Sequence, residues 1–114
     1  MMWSIDDERD DDLLVLAYPY FEQVEPLVWN EAGTYVATDA VIEHTVTHQW
    51  NHGLGEIVTA LLDAGLMITG LVEHDTVPWL ALPGKMTDAG GGEWRLTDNP
   101  ARLPCTYTLQ AVKR

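Results

Sequence analysis

The sequence predicts a mixed fold of α and β elements, α+β for the chain on its own, and three observations carry the prediction. Residues 53–65 have the periodicity of one amphipathic helix, residues 66–72 follow it as a near-continuous apolar run, and residues 41–50 alternate strictly between apolar and polar positions. A chain of 114 residues that is 46% hydrophobic has the length of one domain and enough apolar content for a modest core. No linker or internal repeat divides the sequence.

Taken in order, the chain opens on an acidic segment. Asp6, Asp7, Glu8, Arg9, Asp10, Asp11 and Asp12 carry a net charge of −5, and self-repulsion predicts that they stay in solvent. They lack the alternating ligands, central glycine and closing glutamate of a calcium loop. Residues 13–29 (LLVLAYPYFEQVEPLVW) are apolar enough to demand burial, but Pro19 and Pro26 exclude a long helix or a central strand. The reading is an acidic, irregular lead-in over 1–22 followed by an edge strand. NEAG at 30–33 is a turn and TYVAT at 34–38 a short strand. In 41–50, Ile42, His44, Val46, His48 and Trp50 fall on one face, and Glu43, Thr45, Thr47 and Gln49 on the other. Residues 23–50 are therefore predicted as a three-stranded antiparallel meander.

The helix is the clearest element of the last segment, 51–114. Gly53 stands as its N-cap, with Glu56 in the capping-box position three residues on. Leu54, Ile57, Val58, Leu61 and Leu62 form a core stripe at i, i+3, i+4, i+7 and i+8, and Gly65 sits where a glycine ends a helix. The run 66–72, interrupted only by Thr69 and Gly70, predicts a strand buried on both faces, so helix, turn and strand look like half of a βαβ crossover. Pro78 and Pro83 bracket a short irregular segment, DAGGG at 88–92 reads as a loop, and 93–96 and 106–112 are the final strands.

Eighteen acidic residues against six basic ones give a formal charge of −12, which argues against nucleic acid and anionic membrane as partners. No apolar stretch approaches the roughly 18 to 20 residues of a membrane span, and an acidic N-terminus is unlike a signal peptide, so the chain reads as cytoplasmic. The single Cys105 permits no internal disulfide and, beside a proline, reads as a buried, inert thiol. Ser4, the only serine, lies in a stretch expected to be solvated, which leaves serine-hydrolase chemistry without a nucleophile.

Several constellations have a chemical and a structural reading. GLGEIV at 53–58 opens a helix after a strand, and Glu73 follows Gly53 by 20 residues, the spacing of a dinucleotide or adenosyl fingerprint. Val58 stands where the third glycine belongs, however, and Glu56 would repel a phosphate at the helix N-terminus. A capped amphipathic helix explains the same residues. His44, His48 and His52 recur every four residues, but along a strand that spacing is roughly 13 Å, too long to share one ion, so no metal is expected. His48, Trp50, Asn51 and His52 lie where a strand runs into a helix N-terminus, a junction suited to a pocket wall. His74 and Asp75 are consecutive and on a strand point to opposite sides, which argues against a dyad. Five tryptophans and four tyrosines serve core, pocket or interface alike.

Taken in order, the strings WSIDDERDDD, AYPYFE, EPLVW, GTYVATDA, HTVTHQWNHGLGEIVTALLDAGL, ITGLVEHDTVPW and LPCTYTLQAVK resemble the C-terminal half of bacterial class I S-adenosylmethionine-dependent methyltransferases. The resemblance covers nearly the whole chain and is most specific over 50–79. It implies an α/β setting: a place in a seven-stranded, mostly parallel, Rossmann-like sheet with helices on both faces. By it, 53–65 corresponds to the helix before the fifth strand, 66–73 to the fifth strand, and 106–112 to the antiparallel last strand beside it. The meander 23–50 then resembles an insertion over the acceptor site. Residues 1–3 resemble the segment after the fourth strand, so the first four strands, with the glycine-rich loop and the ribose-binding acid, are expected to lie outside this chain.

The cofactor implied by the resemblance is S-adenosylmethionine, with no complete site for it here, and the implied substrate is a small-molecule acceptor. The expected function is that of an acceptor-side module, inactive alone, with Tyr18, Tyr20, Phe21 and Trp50 as acceptor contacts and His48 or His52 as proton acceptor. A sheet ending in an uncovered strand exposes backbone donors and apolar surface, which predicts a homo-oligomer unless a missing N-terminal half completes it. The alternative, from a different class, is a non-catalytic α+β binding or dimerisation module with the aromatic residues at its interface.

Overall fold

The computed structural model describes residues 1–34 and 38–114. Among these the elements run β1 (Leu27–Asn30), β2 (Val46–Gln49), α1 (Leu54–Asp63), β3 (Leu66–His74), β4 (Thr76–Val77), β5 (Met86–Gly90), β6 (Glu93–Leu96) and β7 (Thr106–Lys113), with 3-10 turns at Met2–Ser4 and Pro100–Arg102. The strands form three small antiparallel sheets, β1–β2, β3–β7 and β4–β6–β5. One helix with antiparallel sheets is an α+β fold. No parallel pair joins the named strands, so the mostly parallel arrangement expected above is not present within the described residues. The reason is local: β2, the strand before α1, pairs with β1 rather than with β3, and no βαβ crossover closes.

The helix follows its sequence signals closely. Its last turn ends with Gly65 N–H on Leu62 O at 2.9 Å and Gly65 at φ +77°, a conformation that favours glycine. β3 leaves directly from that turn and runs antiparallel to β7 from Leu66↔Lys113 to His74↔Thr106. The register slips by one residue between Ile68 and Gly70, a bulge of the kind that glycine inside a strand often marks. α1 packs on β3, and Leu66 and Ile68 are half-buried. Met67, its cross-strand partner Val112, and Val72 remain 37%, 45% and 54% exposed. The strand read as buried on both faces is therefore covered on one, because a continuous apolar run is doubly buried only where layers flank both sides.

The core lies away from the helix stripe. Met2, Ile5, Val77, Leu82, Met86, Leu96 and Leu103 are buried together around the β4–β6–β5 sheet and the N-terminal turn. Ser4, expected in solvent, is 1% exposed: its carbonyl accepts the N–H groups of Ala17 (2.8 Å) and Tyr18 (3.1 Å), which pulls the turn inward before the acidic run begins. Beyond it Arg9 pairs with the carboxylate of Asp11, while Asp7, Glu8, Asp10 and Asp12 stay exposed. The DAGGG segment is the tight end of a β5–β6 hairpin. Gly90, Gly91 and Gly92 take φ of +87°, +65° and +83°, values closed to most side chains.

β1 and β2 pair directly, Leu27↔Gln49 to Asn30↔Val46, in place of a three-stranded meander. The predicted middle strand falls mainly on 35–37, which lie outside the described residues. All four residues of β2 are exposed, while on the neighbouring β1 Leu27 and Trp29 are half-buried. The surface as a whole is large. The radius of gyration is 16.2 Å, against about 13 Å for a folded domain of this length. The accessible surface is 8279 Å², where a monomer of 12.8 kDa has roughly 6,300 Å². Among the described residues no helix is long and apolar enough to cross a membrane.

Candidate functional site

Gly53 cannot cap α1 with a side chain, and a tyrosine does so in its place. Tyr20 Oη accepts the Leu54 N–H at 2.9 Å, satisfying one of the orphan donors of the first turn. The ring lies so close that a Cβ on Gly53 would stand 3.2 Å from Tyr20 Cε1, which makes glycine the fitting residue there. Asn51 fixes the same loop from the other side, its Nδ2 donating to Pro19 O at 3.0 Å. Tyr20→Phe is therefore expected to lower stability by about 1 kcal/mol, read as a lower urea midpoint with unchanged slope.

This docking of the 18–22 loop against the helix start shapes one wall of a cleft of about 640 Å³. The N-terminal turn supplies Met2 and Trp3, the helix start Leu54 and Ile57, and the region where β3 meets β7 supplies Glu73, Cys105, Thr106 and Tyr107. Trp79 closes it beside Trp3, ring centroids 5.9 Å apart and planes 35° from parallel. Trp50 lines the cleft with its Nε1 donating to Val24 O at 3.4 Å. Burial, aided by Asp75, pushes the Cys105 thiol above its usual value, so it stays protonated at neutral pH.

At the cleft rim His52 meets two carboxylates. His52 Nδ1 lies 3.4 Å from Glu56 Oε1, one helical turn on, and 4.0 Å from Glu22 Oε2 in the loop that Tyr20 anchors. The two glutamates share a hydrogen bond, which raises the pKa of Glu22 and lowers that of Glu56; His52 nearby favours the charged form of both. The three ligand atoms lie within 4.8 Å of one another, and these are the described residues that could hold a metal. The histidine repeat itself does not assemble: His52 turns to the glutamates, while His44 and His48 are exposed elsewhere.

Of the six residues singled out in the sequence, Tyr20, Trp50 and His52 line the cleft together. Tyr18 is set edge-on against Trp29, centroids 5.2 Å apart, and is outside the lining. Phe21 is 72% exposed and touches Tyr20 by its edge at 5.2 Å. His48 sits on β2 opposite Val28, also outside the lining. His74 Nε2 engages Thr108 Oγ1 at 2.9 Å while Asp75 pairs with Arg95 at 3.1 Å, so the two form no dyad.

The GLGEIV segment does not fit an adenosyl or phosphate group. Tyr20 already takes the Leu54 N–H, and the carboxylate of Glu56, held in its charged form, stands in the first turn. What the arrangement offers is a cleft walled by aromatic rings, with an imidazole oriented by a carboxylate at its edge. Comparison of the chain with protein-family models, curated proteins and solved structures finds no match.

Proposed function

We propose that the chain is the acceptor-side module of an S-adenosylmethionine-dependent methyltransferase, the C-terminal part of a Rossmann-like sheet whose cofactor-binding half comes from another segment or chain. One observation carries the reading. α1, β3 and β7 stand as helix, strand and antiparallel last strand, while the second edge of β3 is unpaired among the described residues and Met67, Val72 and Val112 stay open. A parallel strand on that edge and a helix on that face would finish the sheet, and the excess of accessible surface agrees with such a partner.

In this reading the cleft holds the acceptor. Tyr20 and Trp50 supply flat contact surface, and the Glu56 carboxylate orients His52 through Nδ1, leaving Nε2 to take the acceptor proton. Because the helix start does not fit the cofactor, none of its chemistry is assigned to residues of this chain.

The test mixes the chain with a separately produced polypeptide carrying the first four strands and glycine-rich loop of a class I methyltransferase. The expected result is a complex that binds S-adenosylhomocysteine saturably where the chain alone does not, and transfers labelled methyl to an acceptor. His52→Ala is then expected to lower transfer by about 10²-fold or more at unchanged cofactor affinity. Saturable binding by the chain alone, or no complex with the added half, overturns the proposal.

The open face also favours a second reading, a dimerisation module in which a second copy covers Met67, Val72 and Val112. A monodisperse dimer whose stability rises with protein concentration would select it.

A further inference from the structure

We propose that the cleft takes a flat aromatic ligand bearing a cationic amine and rejects the corresponding aromatic carboxylate. The inference rests on the acceptor-cleft reading and names the class of molecule that would enter. Five rings, those of Trp3, Tyr20, Trp50, Trp79 and Tyr107, line about 640 Å³, a volume suited to a small organic ligand. The Trp3–Trp79 pair offers a broad face for stacking or for a cation held over a ring.

Charge decides between ligand types. Glu73 is the carboxylate of the lining, brought there by the pairing of β3 with β7, where it stands opposite Tyr107. No lysine or arginine side chain lines the cleft, and the chain carries a formal charge of −12. An anionic ligand would enter against that field with only the Met1 amino group to meet it, and once that group is deprotonated an ammonium would find both Glu73 and the ring faces. Burial lowers the pKa of the Met1 amino group, also in the lining, from the usual 8.0, and the Glu73 charge opposes that fall.

The experiment compares 2-phenylethylamine, 3-phenylpropionate and 2-cyclohexylethylamine by calorimetric titration at pH 9. There the Met1 amine is largely neutral, while an alkylammonium with a pKa of about 10.4 is still charged. The aromatic amine is expected to bind at least tenfold tighter than the carboxylate and tighter than the cyclohexyl amine. It is also expected to slow alkylation of Cys105. Glu73→Gln should cut the amine-to-carboxylate ratio to about threefold or less, with an unchanged far-ultraviolet circular dichroism spectrum reporting the fold. Carboxylate binding equal to that of the amine, a ratio unmoved by Glu73→Gln, or no binding of any of the three overturns the proposal. Amine binding without methyl transfer in the completed complex sinks the methyltransferase reading alone; transfer to a neutral or anionic acceptor without amine binding sinks this inference alone.

Discussion

Leu96→Ala is expected to destabilise the chain by about 2 to 5 kcal/mol, a large share of the roughly 5 to 15 kcal/mol that holds a small domain together. Leu96 is 1% exposed at the end of β6, directly across the ladder from Met86, within the cluster that also holds Val77 and Leu82. Truncation removes transfer free energy and leaves a cavity, and seven buried apolar side chains among the described residues provide little to collapse into it. Leu62→Ala makes the contrast. Leu62 belongs to the periodic stripe of α1 yet is 53% exposed, so its loss should cost less than about 1 kcal/mol. Urea unfolding of both variants, followed by tryptophan fluorescence and circular dichroism, decides the matter. Equal losses would place the stabilising core under α1 and not around β4–β6–β5.

That contrast also marks what periodicity can reveal. The helix and its terminating Gly65 were legible because each rests on neighbours in sequence, whereas the antiparallel pairing of β3 beside β7 was implied only by the family resemblance and by no local pattern. Met2, Ile5, Leu82 and Leu103 were not legible, because they sit in turns and irregular segments where no period exists to be read. β5 has a methionine, a threonine, an aspartate, an alanine and a glycine, composition that reads as loop until β6 is placed beside it. The strict alternation at 41–50 was a true strand signal for 46–49, and all four of these residues are exposed, as on a surface strand.

The site divides in the same way. Trp50 and His52 were visible at a strand-to-helix junction, and Tyr20 lies in the aromatic string beside Pro19. Glu73 and Tyr107 become neighbours only through the β3–β7 register, and Trp3 meets Trp79 across most of the chain. Glu22 joins His52 and Glu56 in the loop that Tyr20, by capping α1, holds against the helix. A single hydroxyl thus connects helix capping, the cleft wall and the rim cluster.

Val72→Lys combined with Val112→Lys is expected to weaken association of this chain, with itself or with a completing half, by roughly 10- to 100-fold. Both side chains lie on the open side of β3–β7, 54% and 45% exposed, beside a strand edge that is unpaired among the described residues. Their exposure means that the folded monomer loses little when they are charged, whereas any partner covering the face must desolvate two ammonium groups. Sedimentation velocity at several concentrations reads the effect, and an unchanged urea midpoint at low concentration separates lost association from lost folding. If the parent chain dimerises and the double variant does not, the open face is the dimer interface. If the parent is monomeric and the variant instead fails to join the added cofactor-binding half, the same face belongs to an unfinished sheet. A variant that associates as tightly as its parent in both experiments would mean that neither partner sits on this face, and both functional readings built on it would fall.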